Sequence, residues 1–174
     1  MSSSVIEAQT PLRARYKASP PSATVTSQAF TGGFDLTDPF RSQVRPMGAD
    51  AEAMVFGVHR SVGSPHALPC PGDLMCAALA ACQDASIRMV ADAMGITLRR
   101  LEVHVQGTLD VRGALGMQRD VPVGFQSLVC DIHLEAADGT PADQLEKLRL
   151  AAERCCVVAQ TLQSPPLIQT RFHV

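Results

Sequence analysis

The stretch from Pro71 to Met94, PGDLMCAALAACQDASIRMVADAM, constrains the fold more than any other part of the chain. Met75, Leu79, Cys82, Ser86, Met89 and Ala93 follow the i, i+4, i+7 spacing of one helical face. The pattern predicts one long helix with Cys82 near its middle, on the line that carries apolar residues. Ala77, Ala78, Ala80 and Ala81 leave that part of the helix nearly bare of side chain, so another backbone can approach closely. Asp73 falls in the first turn, where a negative charge suits the helix dipole. Gly95 stands just past the last periodic residue and is the natural stop.

The remaining composition supports a globular chain. Of 174 residues, 46% are hydrophobic and 18% charged, enough to bury a core in one domain. A net charge of −2 and a pI of about 6.2 imply no basic face for nucleic acid. One Tyr and no Trp argue against stacking platforms for bases. No uninterrupted apolar run reaches the length of a bilayer span, so no membrane partner is expected. The opening residues lack the charged and apolar regions of a secretory signal, so a cytoplasmic location is expected. Six cysteines in a cytosolic chain are then not a disulfide framework. They are reactive thiols or buried apolar side chains.

Read in order, residues 1–9 are expected as a flexible tail and residues 10–174 as a single domain. Leu12 to Lys17 alternates apolar and basic residues and predicts a half-buried strand. Ser19-Pro20-Pro21-Ser22 is a turn, with Ala23 to Phe30 returning as the partner strand. Residues 31–50 read as loop, and Ala53 to His59 as a third strand. Leu101 to Val111 alternates cleanly, with Leu101, Val103, Val105 and Gly107 on one face and Glu102, His104 and Gln106 on the other. Phe125 to Glu135 is a further strand. A second helix is expected from Pro141 to Gln163, with the stripe Leu145, Leu148, Ala152, Cys155, Ala159, Leu162. Ser164-Pro165-Pro166 stops it, and Leu167 to Val174 reads as a last strand. Three strands, helix, two strands, helix, strand is an α+β order with antiparallel sheets. Two largely apolar helices need cover on both sides, from a sheet and from a second subunit.

Two chemical readings stand for the cysteines. Cys82 is either a nucleophilic or redox thiol or a small packed hydrophobe. Periodicity puts Cys155 on the core stripe and Cys156 about 100° away at its edge, where a packed thiol can still reach a cleft. The spacing of Cys70, Cys76 and Cys82 is not that of a zinc site. His59, His66 and Cys70 have no order that would collect a metal, and no metal or cofactor is expected. Cys130 reads as packing, and His104 as a solvated residue on the polar face of its strand.

The helix start Pro71, Leu74 and Ala81-Cys82, followed by a strand, resembles the OsmC/Ohr family of stress-induced thiol peroxidases. Ala152-Glu153-Arg154-Cys155-Cys156-Val157-Val158-Ala159 resembles that family's second cysteine motif, with Cys156 at the family's cysteine. The resemblance implies an OsmC-like α+β fold, antiparallel sheets packed around two long central helices, and an intertwined homodimer. It implies a thiol-dependent peroxide reductase for organic hydroperoxides, in which Cys82 attacks, Cys156 resolves, and an external dithiol is the reductant. Departures accompany it. Gly72 stands where the family has Glu, with the shorter Asp73 next door. The family takes an Arg from its N-terminal hairpin to steady the thiolate, but the expected turn Ser19–Ser22 has none. Arg15 and Lys17 are the nearest charges, and Arg60 enters the loop before the helix. The Pro that usually follows the second cysteine is Val157. The expected site residues are therefore Cys82, Cys156, Asp73 and Arg60. The alternative is a non-catalytic protein of this fold that binds a small apolar ligand at the dimer interface.

Overall fold

The computed structural model describes residues 3–32 and 34–174. Along the chain run α1 (Ser4–Ala18), β1 (Ala29–Thr31), β2 (Arg41–Pro46), β3 (Met54–Gly57), α2 (Pro71–Ala93), β4 (Leu98–Thr108), the single turn α3 (Val111–Ala114), β5 (Ser127–Ala136), α4 (Ala142–Cys155) and α5 (Val157–Gln163). Strands β1, β2 and β3 form one antiparallel sheet in that order, and β4 pairs with β5 in another. The residues cluster into two compact units. The first holds residues 3–10, 78–104 and 130–174, and the second holds 11–77 and 105–129, with residue 33 undescribed.

The first unit is built on α2, α4 and the paired strands. Ala91, Ile96 and Leu148 are its buried centre, with Val90, Met94, Leu98, Leu134 and Ala136 packed around them. Helix α2 ends as Gly95 requires. Gly95 takes φ +69°, its N–H bonds Asp92 O, and the Ile96 N–H reaches back to Ala91 O at 2.8 Å. That is a Schellman closure, and it turns Ile96 into the core beside Ala91. Asp92 accepts bonds from the Ser3 hydroxyl and the Val5 N–H, so it anchors the first turn of α1. These donors hold its carboxyl below the usual range.

The second unit carries the three-stranded sheet. Phe30 lies opposite Arg45, and Ser42 opposite Phe56. The end of β3 is pinned by Gly57 N–H to Pro69 O at 2.9 Å and Val58 N–H to Phe40 O at 3.0 Å. Phe125 lies over Gly107 of β4, where any Cβ would stand 2.3 Å from the ring. The apolar face predicted for β4 therefore needs its gap at Gly107.

Several expectations change. Residues 4–9, read as a tail, and Leu12–Lys17, read as a strand, are both helical in α1. Residues 1 and 2 of that tail, and Gly33 of the expected loop, lie outside the described residues. No residue of α1 is buried, so its side chains answer to helix propensity in Ala, Leu, Arg and Lys rather than to a core-facing period. The expected loop 31–50 contains β2, and the hairpin is β1–β2–β3 rather than two strands about Ser19–Ser22. The second helix is not continuous: Cys156 takes φ −75° and ψ 98°, and divides α4 from α5. Residues 167–174 form no strand in the described chain. Leu98–Thr108 replaces Leu101–Val111 as the strand, because Val111 begins α3.

Candidate functional site

Helix α2 begins at a cysteine cap. The Cys70 carbonyl accepts the Leu74 N–H at 3.0 Å, and the Asp73 carboxylate accepts the Cys70 N–H at 2.8 Å. An acidic side chain at the third helical position reaching back to the cap N–H is half of a capping box. The bond from Cys70 N–H, then the Cys70 thiol, then the charge of His59 hold Asp73 below the usual carboxylate range. The carboxylate expected at the site thus secures the start of the helix. Gly72 is crowded: a Cβ there would lie 3.1 Å from the Phe125 ring and 3.4 Å from Cys70 Sγ.

One turn further on, α2 departs from the expected stripe. Leu79, Gln83, Ser86, Ile87 and Ala91 are buried, while Met89 and Ala93 are exposed. The core face is rotated from the line through Met75, Cys82 and Met89. Cys82 therefore sits half-buried at the edge of the packed face instead of at its centre. A sulfur at that edge can be reached from outside the packed face.

Cys156 is the reverse case. It was expected at the edge of its helix, and it is 0% exposed, while Cys155 is out in solvent. In α4 the buried positions Leu148 and Ala152 step by four, and Cys156 is the next such step. Its N–H still bonds Ala152 O at 3.1 Å, after which the chain breaks and restarts. Cys156 Sγ then caps α5 by accepting the Ala159 N–H at 3.5 Å. Burial pushes the Cys156 thiol up, opposed by the bond from Ala159, and the adjoining Cys82 sulfur pushes it further the same way. Cys82 and Cys156 lie in the same unit, close enough for the Cys82 sulfur to act on the Cys156 thiol, and both are free thiols.

The structure thus brings Cys82 and Cys156 together in the first unit, while Asp73 and Arg60 belong to the second. Arg60 opens an exposed 3₁₀ turn, and its guanidinium has no partner among the described residues. The basic residue that sequence reasoning passed over is Arg41. It follows the loop of the actual hairpin, with its guanidinium 3.6 Å from Asp38 and over the Phe34 ring. The signal was present in Asp35, Asp38 and Pro39, turn formers between two short strands. His66 bonds Asp38 at 2.8 Å, and no cluster of three metal-ligating side chains occurs among the described residues. His104, expected as solvated, is exposed and meets His133 edge-on.

The fold and the paired cysteines define an α+β protein whose long helix presents a thiol to a second, buried thiol. The family described as OsmC-like protein matches residues 63–171, and the chain belongs to it. Solved structures agree on the fold. An OsmC-like protein of Mycoplasma pneumoniae superposes with a TM-score of 0.62 at 14% identity, over 81% of this chain and 89% of that one. An OsmC-like protein of unknown function from Vibrio cholerae gives 0.61 at 12% identity, over 79% and 94%. An organic hydroperoxide resistance protein from Legionella pneumophila gives 0.56 at 21% identity, over 82% and 92%. No curated protein matches the sequence.

Proposed function

We propose that the protein is a thiol-dependent reductase of organic hydroperoxides. The observation that carries this reading is the neighbouring placement of a half-buried Cys82 and a fully buried Cys156 in one unit. The Cys82 thiolate attacks one oxygen of the hydroperoxide. The O–O bond breaks, the alkoxide leaves and takes a proton as the alcohol, and Cys82 becomes a sulfenic acid. Cys156 then attacks the Cys82 sulfur. An S–S bond forms, the hydroxyl departs with the Cys156 proton as water, and an external dithiol reduces the disulfide. The raised Cys156 thiol suits the resolving role, because a thiol held mostly protonated is the poorer first nucleophile.

A hairpin Arg has the role of steadying the thiolate in the family that the sequence resembles. Arg41 occupies a hairpin here, and Arg60 precedes α2. We take a homodimer as the working unit. Exposed apolar side chains at Val129, Leu150 and Val157 support a second copy as cover.

A second reading, a non-catalytic ligand-binding protein of this fold, draws on Gly72. Phe125 and the Cys70 sulfur crowd the position where the family has Glu. Stopped-flow oxidation of the reduced protein by cumene hydroperoxide and by hydrogen peroxide separates the two. Fast thiol loss with the organic peroxide, abolished by Cys82→Ser, is the expected result. Slow oxidation by both peroxides, unchanged in Cys82→Ser, leaves the ligand-binding reading.

A further inference from the structure

The first unit holds a half-open pocket of about 260 Å³ between α2, β5 and α4. Ile87, Ile132, Leu134, Leu145 and Leu148 give it apolar walls. One lining side chain does not fit that description. Gln83 is only 7% exposed, and its Oε1 is buried with no hydrogen-bond partner among the described residues. Leaving a buried amide oxygen unsatisfied is unfavourable, and a leucine would fill the position without that cost. At the mouth stand Arg149 and Glu153, joined at 2.6 Å, with Glu146 holding the other side of the guanidinium at 2.7 Å. Arg149 is therefore compensated twice over, and the entrance offers no net attraction to an anion.

We propose that this pocket is a binding site for a small uncharged molecule with an apolar body and a single hydroxyl, received by the Gln83 amide. A primary amide offers an acceptor and donors on one group, and a hydroxyl complements both. An apolar cavity of roughly 150 Å³ accepts benzene. This one therefore suits a substituted benzene or an alkyl chain of comparable bulk. The site lies within one chain and needs no thiol chemistry, so it stands or falls separately from the peroxidase reading.

The test compares 4-ethylphenol with its near-isostere 4-ethyltoluene, by calorimetry and by amide chemical-shift perturbation. In the wild-type protein the phenol is expected to bind at least tenfold tighter, with shifts centred on Ile87, Ile132 and Leu148. Gln83→Leu should bring the two within threefold by weakening the phenol alone, and Gln83→Met repeats the measurement if the leucine variant misfolds. Leu145→Trp, which fills the cavity, should remove both. The Cys82→Ser/Cys156→Ser protein should keep the full preference. Binding there without peroxide turnover in the wild type would retain the site and remove the peroxidase. Equal affinity of the wild type for the two probes would overturn the proposal, since the amide would then be served by water. So would an unchanged preference in both Gln83 variants, or shifts confined to residues outside the cavity.

Discussion

At the scale of single residues, Gly72 and the buried sulfur of Cys156 bear most on the proposed chemistry. Gly72 stands at the family's acidic position with Phe125 against it, so restoring the acid is not a local repair. Gly72→Glu should destabilise the fold by about 1–3 kcal/mol, because the ring must shift to admit even the Cβ. Denaturant unfolding measures this, and an unchanged midpoint would show that the ring moves freely. Cys156 sets a pH dependence. Its thiol is raised above the ordinary value of 9.0, chiefly by burial. The rate of disulfide closure after Cys82 oxidation should therefore rise about tenfold per pH unit from pH 7 to 9, following the thiolate fraction. A pH-independent closure rate would place the resolving thiol elsewhere. Stability runs the opposite way: the protonated thiol favours the folded state at low pH, and that contribution is lost as pH rises through the raised value. Of these features, the cysteine pair was legible, because both sulfurs sit in recognisable motifs. The contact of Phe125 with Gly72 and Gly107 was not, because no periodic spacing links residues so far apart in sequence.

At the scale of elements, the break at Cys156 is the main departure from the sequence reading. The stripe Leu145, Leu148 and Ala152 was correct as far as it went, and it predicted continuity that the chain does not keep. The absent proline was the clue. The family's Pro falls at position 157, and here Val157 is the first residue of α5, where a missing N–H costs nothing. Val157→Pro should therefore be neutral or raise stability by about 0.4–1 kcal/mol, instead of the loss of about 3 kcal/mol expected inside a helix. A thermal melt distinguishes these, and a large loss would mean that the two helices behave as one. The N-terminal helix was missed for a different reason. Leu12, Ala14 and Tyr16 alternate by chance in a helix that buries nothing, so hydrophobic period carried no information there. Its true anchor is Asp92, distant in sequence. Asp92→Asn should speed amide exchange at residues 5–7 while leaving peroxide turnover unchanged. The same loosening should appear as pH falls below the ordinary carboxyl value of 3.8, since a lowered carboxyl stabilises only while ionised. Strand β2 was hidden in RSQVRP, whose polar residues do not read as a strand although Gln43 is buried.

At the scale of the whole molecule, the balance of buried and exposed apolar surface points beyond one chain. Long apolar helices need cover, and the described core reaches only a few residues of α2 and α4. The C-terminal segment sharpens the point. Leu167 and Ile168 are 97% and 89% exposed, and Phe172 is 87% exposed, in a stretch whose alternation reads as a strand. The segment forms no strand in its own chain, and exposed apolar surface of this kind is a candidate interface. If the homodimer is the working unit, analytical ultracentrifugation should give twice the 18.5 kDa chain mass at micromolar concentration. Ile168→Asp together with Phe172→Asp should shift the equilibrium toward monomer at least tenfold, with residues 78–104 keeping their amide protection. A dimer indifferent to both substitutions would place its interface on the helices and strand β5 instead, at Leu150, Val157 and Val129. A monomer in the unsubstituted protein would leave those side chains uncovered and remove the second copy from the peroxidase reading.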